Sequence, residues 1–249
     1  MIKLSEIPTT PPADFDKKTF KKKLEKVTDE IADLQLKMLA GRKHSLLVVL
    51  QGMDTSGKGG TTRNVFCKCS PAGVNIKAWK KPTDEEFAHD FLWRIHKHAP
   101  QKGMIQVFDR SHYEDVLIQR VHGWISEEHC DKRIEAINAW EELLQFDNNT
   151  TILKFYMHLS RERQKEKLQE RIDLRRKNWK HNDGDWEQAE YWDKYMDAYE
   201  NVFKKSKIPW IVAPVDNRTY RNYFVASKVL ETLRGFELEW PELGESKYA

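Results

Sequence analysis

The 249-residue sequence is poor in cysteine, in long apolar runs and in evenly spread glycine. Its three cysteines, Cys67, Cys69 and Cys130, are too few for a disulfide framework, and the step from Cys67 to Cys69 is not zinc-ligand spacing. The longest aliphatic run, residues 46–50, falls far short of the roughly 20 apolar residues of a membrane-spanning helix. The opening MIKLSEIPTTPPADFDKK has no apolar core of a secretory signal, so a cytoplasmic protein with no membrane partner is expected. Strong charge of one sign is also missing: 42 Lys+Arg against 39 Asp+Glu leave +3, which excludes a histone-like cation. That mean hides a pattern. Residues 17–26 carry six lysines and one glutamate, and residues 161–180 carry nine basic and four acidic residues. Each segment is therefore +5, and the remaining chain is −7.

Phe20, Leu24, Val27, Ile31, Leu34 and Met38 recur at helical spacing and predict a helix ending near Gly41, packed on its own domain. SLLVVLQ (45–51) predicts a strand buried on both faces. Beyond it, strands are predicted over 74–79, 104–108, 151–158 and 210–213, and helices over 84–98, 126–146, 161–172, 187–205 and 219–233. This alternation predicts a three-layer α/β/α fold with a mostly parallel sheet. We expect an N-terminal extension and helix over 1–44, a catalytic domain over 45–235 with a lid at about 165–186, and a polar tail over 236–249. The turn-rich 181–185 suits a hinge of that lid.

Four of the 11 glycines lie in Gly52-Met-Asp54-Thr55-Ser56-Gly57-Lys58-Gly59-Gly60. This is G-x-x-x-x-G-K between a predicted strand and a predicted helix, the setting of a phosphate-binding loop. Glycines let backbone N–H groups converge on phosphate oxygens, the helix N-terminus adds positive potential, and Lys58 supplies a mobile charge. Gly59 stands where the common motif has a metal-binding Ser or Thr. Asp54 puts a carboxylate into an anion cradle, which a bridging cation, or a proton-accepting role toward an incoming phosphate, would reconcile. A second group, VFDRSHYED (107–115), places Asp109 at the end of a predicted strand, where it can hold Mg²⁺ opposite the loop, with Arg110 beside it to stabilise a transferring phosphoryl group. Glu114 fits either this site or the acidic first turn of a helix, and Arg120 either a ligand phosphate or a solvated face. The basic segment 161–180 suits a lid that closes over phosphates.

LLVVLQGMDTSGKGGTTRNVF, VFDRSHYEDVLIQRVH, TTILKFYMHLSRERQKEKLQERI, KNWKHNDGDWE and IPWIVAPVDNRTYRNYFVASKVLETL resemble the polyphosphate kinase type 2 family over about residues 15–235. The resemblance implies a P-loop kinase fold with a lid and transfer of a terminal phosphate from inorganic polyphosphate to AMP or ADP, with Mg²⁺ or alternatively Mn²⁺. It further implies that Asp54 and Asp109 bind the metal and position the acceptor, while Lys58 and Arg110 neutralise the transferring group. Gly52, Thr55, Ser56, Gly57, Gly59, Gly60, Thr61, Glu114 and Arg120 would bind phosphate or nucleotide. Arg171, Arg175, Arg176, Lys177 and Lys180 would act from the lid. The family tolerates Gly at position 59, and the DRSHYED form looks like the subgroup accepting both AMP and ADP. The lid departs from the expected Asp-Pro stretch, having Asp173-Leu-Arg-Arg-Lys177. Polyphosphate binds as a nucleic-acid backbone does, by displacing counterions, so residues 17–26 and the lid could form a track for it. A homo-oligomer, dimer or tetramer, is expected, and no nucleic-acid partner. The rival readings are an ATP-dependent nucleoside or nucleotide monophosphate kinase, a regulatory nucleotide switch, and a nucleic-acid-binding module, which lacks a recognition helix or aromatic platform here.

Overall fold

The computed structural model describes residues 2–244. Its centre is the strand β1 (Ser45–Gln51), buried at every position. Leu47 and Val49 enter one core, and Leu46, Val48 and Leu50 the other, so a continuous aliphatic run serves two faces at once. Around it lie β2 (Val74–Ala78), β3 (Ile105–Asp109), β4 (Thr150–His158) and β5 (Trp210–Pro214), all parallel, in the order β2-β3-β1-β4-β5. This is the α/β fold predicted from the alternation.

Among the described residues ten α-helices flank the sheet: α1 (Lys17–Gly41), α2 (Lys58–Val65), α3 (Asp84–Phe87), α4 (Trp93–His96), α5 (Glu114–Val121), α6 (Glu127–Asn148), α7 (Arg161–Asp173), α8 (Asp183–Glu190), α9 (Trp192–Lys205) and α10 (Arg218–Arg234). The predicted stripe of α1 buries Phe20, Ile31 and Met38 and packs the helix along α10 of its own chain. Its six N-terminal lysines are all exposed.

Three expectations change. The single helix over 84–98 is two separate turns, because the Asp90 side chain accepts from Leu92 N at 3.0 Å and starts a new turn there. The helix over 187–205 begins earlier, at Asp183, and breaks at Tyr191 into α8 and α9. Residues 181–185 are consequently not an open hinge: Asn182 caps α8 by accepting from Gly184 N at 3.1 Å.

At the C-terminal end, Phe236 stacks on His44 and Leu238 packs against the core, so the first residues beyond 235 are anchored. Residues 245–249 of the expected tail lie outside the described residues. Near the N-terminus, Leu4 is buried, His158 Nε2 lies 3.0 Å from Ile7 O, and Thr9 Oγ1 donates to Asp216 Oδ2 at 2.8 Å. Among the described residues no helix is long and apolar enough to cross a membrane.

Candidate active site

Parallel pairing sets Leu50 of β1 beside Asp109 of β3. The loop leaving β1 and the segment leaving β3 therefore emerge together at the C-terminal edge of the sheet, where open α/β folds bind ligands. They form one end of a cleft of about 620 Å³, which also reaches α7, the N-terminus of α10 and a 3-10 turn at Arg175–Lys180.

Two glycines of the loop are demanded by their surroundings. Gly57 caps α2 at φ 92°, and a Cβ there would lie 1.9 Å from Arg221 Nη1. Gly59 has room problems of another kind, since its Cβ would come to 3.0 Å from Asp109 Oδ2. The missing Ser or Thr is thus replaced by close approach of the Asp109 carboxylate to the start of α2. Lys58 is buried, and its Nζ donates to Gly52 O at 2.8 Å and Met53 O at 3.2 Å. Burial, then the nearby Arg110, pushes its pKa down. Thr61 Oγ1 donates back to Gly57 O at 3.1 Å and Ser56 is buried, so these two build the loop and do not face the cleft. Gly52 likewise does not line it.

Arg110 sits at φ 65°, its N–H donating to Leu50 O at 3.0 Å. Its guanidinium is hydrogen-bonded to Asp54 Oδ1 and lies 3.6 Å from Glu114 Oε2. Glu114, foremost, holds the Arg110 pKa above its ordinary value. Glu114 is the first residue of α5 and does not line the cleft; it meets the site through Arg110 and accepts from Gln51 Nε2 at 3.0 Å. The Asp109 carboxylate has no hydrogen-bond partner among the described residues and lines the cleft. Asp54 also lines it, with one oxygen engaged by Arg110.

Of the residues expected in a lid, four reach the cleft. Arg171, Arg176, Lys177 and Lys180 line the cleft, together with Trp179. Arg171 bonds Asp185, and Lys177 bonds Glu170. Arg175 is exposed and does not line the cleft, because the 3-10 turn points it elsewhere. Arg120 lies outside it as well, at the end of α5, bound to Glu127 at 2.8 Å in a separate groove with Tyr191 and Lys194. None of the lysines of residues 17–26 lines the cleft.

Five cations that the sequence reading missed complete the site: Arg63 on α2 and, on two later helices, Arg163 and Lys167 of α7 and Arg218 and Arg221 of α10. Arg221 is only 4% exposed, pressed on Gly57, and its guanidinium donates to Asn222 Oδ1 at 3.0 Å with no carboxylate paired to it among the described residues. Burial, then Arg218, lowers its pKa to about 10. Lys167 is lowered to about 8, by burial first and Arg221 next. Lys167 Nζ and Gln164 Nε2 donate to Thr55 O and Asp54 O, each at 3.4 Å, which ties α7 to the loop. Asp216 fixes both helix starts, accepting from Ser160 N at 2.9 Å and preceding the α10 cap Asn217. A signal for the last four existed: pairs at i,i+4 and i,i+3 open the two helices that follow strands β4 and β5.

The Polyphosphate kinase 2 (PPK2) family model matches residues 14–239. The chain is 42% identical over 212 residues to the AMP/ADP-polyphosphate phosphotransferase of Meiothermus ruber, covering 84% of this chain and 79% of that protein. It is 36% identical over 229 residues to the ADP-polyphosphate phosphotransferase of Rhodopseudomonas palustris, covering 86% and 79%. Its fold matches the crystal structure of polyphosphate kinase 2 from Arthrobacter aurescens TC1 with a TM-score of 0.95, at 39% identity, over 99% of this chain and 90% of that one. A phosphate loop facing Asp109, in a chain matched over nearly its whole length, is thereby accounted for: the protein is a phosphotransferase and belongs to the polyphosphate kinase 2 family.

Proposed function

We propose that this protein moves the terminal phosphoryl group of inorganic polyphosphate to AMP and to ADP, reversibly. The observation that carries the reading is the charge of the cleft, where eleven Lys and Arg side chains face four carboxylates around one phosphate loop. A cleft so cationic suits two polyanions held end to end, donor and acceptor, better than one nucleotide alone. Arg163, Lys167, Arg218 and Arg221 line one stretch of the cleft with Glu170 and Asp216; Arg163 is paired with Glu166, and Asp216 is engaged by Thr9 and Ser160. That stretch fits the donor end of the polyphosphate chain, with Arg221 pressed on Gly57 where the phosphoryl group leaves, and the mixed group of Asp54, Asp109, Arg110 and Glu114 fits the acceptor phosphate.

Phosphoryl transfer asks the protein mainly for positioning and for charge stabilisation that needs no reorganisation. Lys58 and Arg110 supply it at the transferring group, and the lid residues Arg171, Arg176, Lys177 and Lys180 hold the polyphosphate chain above it. The donor set fits a divalent cation: Asp109 is unpartnered among the described residues, Asp54 has one oxygen free of Arg110, and hard carboxylates with phosphates and water suit Mg²⁺, with Mn²⁺ as the alternative. Bound there, the ion would neutralise charge shared by the two phosphates. We further propose a cytoplasmic homo-oligomer, a dimer or tetramer.

The test is an assay in which polyphosphate is the sole phosphoryl donor and AMP, ADP and GDP are offered in turn. ADP and ATP formation is expected from the first two. No product with polyphosphate, together with turnover when ATP is the donor, would instead favour a nucleotide monophosphate kinase.

A further inference from the structure

Behind the Asp109–Asp115 segment lies a group of titratable side chains that does not touch the cleft. Lys154 projects from the middle of β4 and Glu141 from α6, and both are fully buried. Lys154 Nζ donates to Glu141 Oε2 and to Tyr113 Oη, each at 2.7 Å, and the Tyr113 hydroxyl donates to Glu141 Oε1 at 2.9 Å. Three hydrogen bonds thus close a ring. His112 joins it with Nε2 3.5 Å from Glu141 Oε1, wedged edge-on between Phe108 and Trp140.

Stability does not explain this ring. A buried ion pair replaced by apolar residues of similar volume commonly leaves a fold as stable or more so, and Trp140 and Trp210 already surround the position with apolar surface. What the ring supplies is direction, because Tyr113 must place its hydroxyl between Lys154 and Glu141, and His112 is packed against the tyrosine ring. Tyr113 and His112 follow Arg110 by three and two residues, and Arg110 holds a left-handed φ of 65° that a residue with a Cβ avoids. Upstream, the Leu50 bond and strand β3 fix this conformation; downstream, Ser111 Oγ accepts from Tyr113 N at 3.2 Å. Without the downstream anchor, Arg110 could return to right-handed backbone and swing off Asp54 and Glu114.

We infer that the Glu141–Lys154–Tyr113 ring is a positioning device for phosphoryl transfer, holding the segment after Arg110 so that its guanidinium stays set against Asp54 and Glu114. The inference rests on the proposed reaction. Neither Glu141, Lys154 nor Tyr113 touches substrate; each acts through Arg110.

The experiment measures Tyr113→Phe and the paired swap Glu141→Leu/Lys154→Met, each alone and combined with Arg110→Ala. Tyr113→Phe, which removes one hydroxyl, should lower kcat about three- to tenfold and the swap tenfold or more, with KM for both substrates within about twofold. In the Arg110→Ala background neither should lower kcat further. Equal losses in both backgrounds, or parental kcat in both variants, overturns the inference; if the swap does not fold, Tyr113→Phe decides alone. An activity-independent readout is the Nε–H resonance of Arg110, identified by its loss in Arg110→Lys. Slow solvent exchange that becomes fast in Tyr113→Phe supports the ring, and unchanged exchange contradicts it. Inactivity of the parent with polyphosphate would sink the proposed reaction and leave this readout to judge the ring.

Discussion

On the loop wall of the cleft, Lys58 and Arg221 are buried, and each cation is fixed by the bonds it donates, Lys58 to Gly52 O, Arg110 to Asp54 and Arg221 to Asn222. On the lid wall, Arg176, Trp179 and Lys180 are exposed, Trp179 at 78%, and Arg171 and Lys177 are paired with carboxylates of the lid region itself. The walls carry charge of one sign but in different physical states. Fixed, desolvated cations cost no reorganisation when charge moves, which is what a transition state needs. Solvated cations with exchangeable partners suit capture and release of a long polyanion. The comparison therefore assigns chemistry to the loop wall and grip to the lid.

The largest effect that could break this division is on the loop wall. Lys58→Ala and Asp109→Asn should each lower kcat by about 10³-fold or more with unchanged circular dichroism; near-parental turnover in either would move the chemistry elsewhere. Next comes Arg221→Leu, which should cost about 10²-fold in kcat and yet raise Tm by roughly 2 °C or more in calorimetry, because it removes a buried cation that no carboxylate neutralises. A lower Tm would mean that packing on Gly57 outweighs the desolvation. On the lid, Arg176→Ala should raise KM for polyphosphate about three- to tenfold with kcat within twofold, and make the salt dependence of log KM shallower by about one unit.

The smallest effect is a pH dependence. Lys167, lowered to about 8, loses its proton within the working range, so KM for polyphosphate should climb above pH 8. Lys167→Arg should remove that limb of the profile. The linked stability has the opposite sign. A depressed lysine pKa means the folded state disfavours the charge, so the destabilisation is fully present below pH 8 and is relieved as pH rises from about 8 toward the ordinary 10.5. Tm of the parent should gain over that window relative to Lys167→Met.

What the sequence made legible follows the same division. The phosphate loop and Asp109-Arg110 are local motifs at strand ends, and aliphatic runs place those ends in one sheet, so Asp54, Lys58, Asp109 and Arg110 come together in the cleft, with Glu114 held behind Arg110. Arg163, Lys167, Arg218 and Arg221 come from two later helices, and only the strand order β1-β4-β5 carries them beside Gly57. Charge counting pointed to residues 17–26, yet that segment is the exposed start of α1, since its apolar stripe is spent on α10. Arg175 and Arg120 were named from charge, spacing and the family resemblance, and a 3-10 turn and the Glu127 pair take them away from the cleft. Asp90 broke a helix that periodicity continued, because a side chain that caps locally outcompetes a weak stripe.

The division of labour is tested most directly by the rate of the first turnover at saturating polyphosphate, measured by rapid quench for the parent, Arg176→Ala and Arg221→Leu. The account predicts a parental rate for Arg176→Ala, within about twofold, and a rate lowered about 10²-fold for Arg221→Leu. Equal slowing in the two variants, or slowing in Arg176→Ala alone, would contradict it.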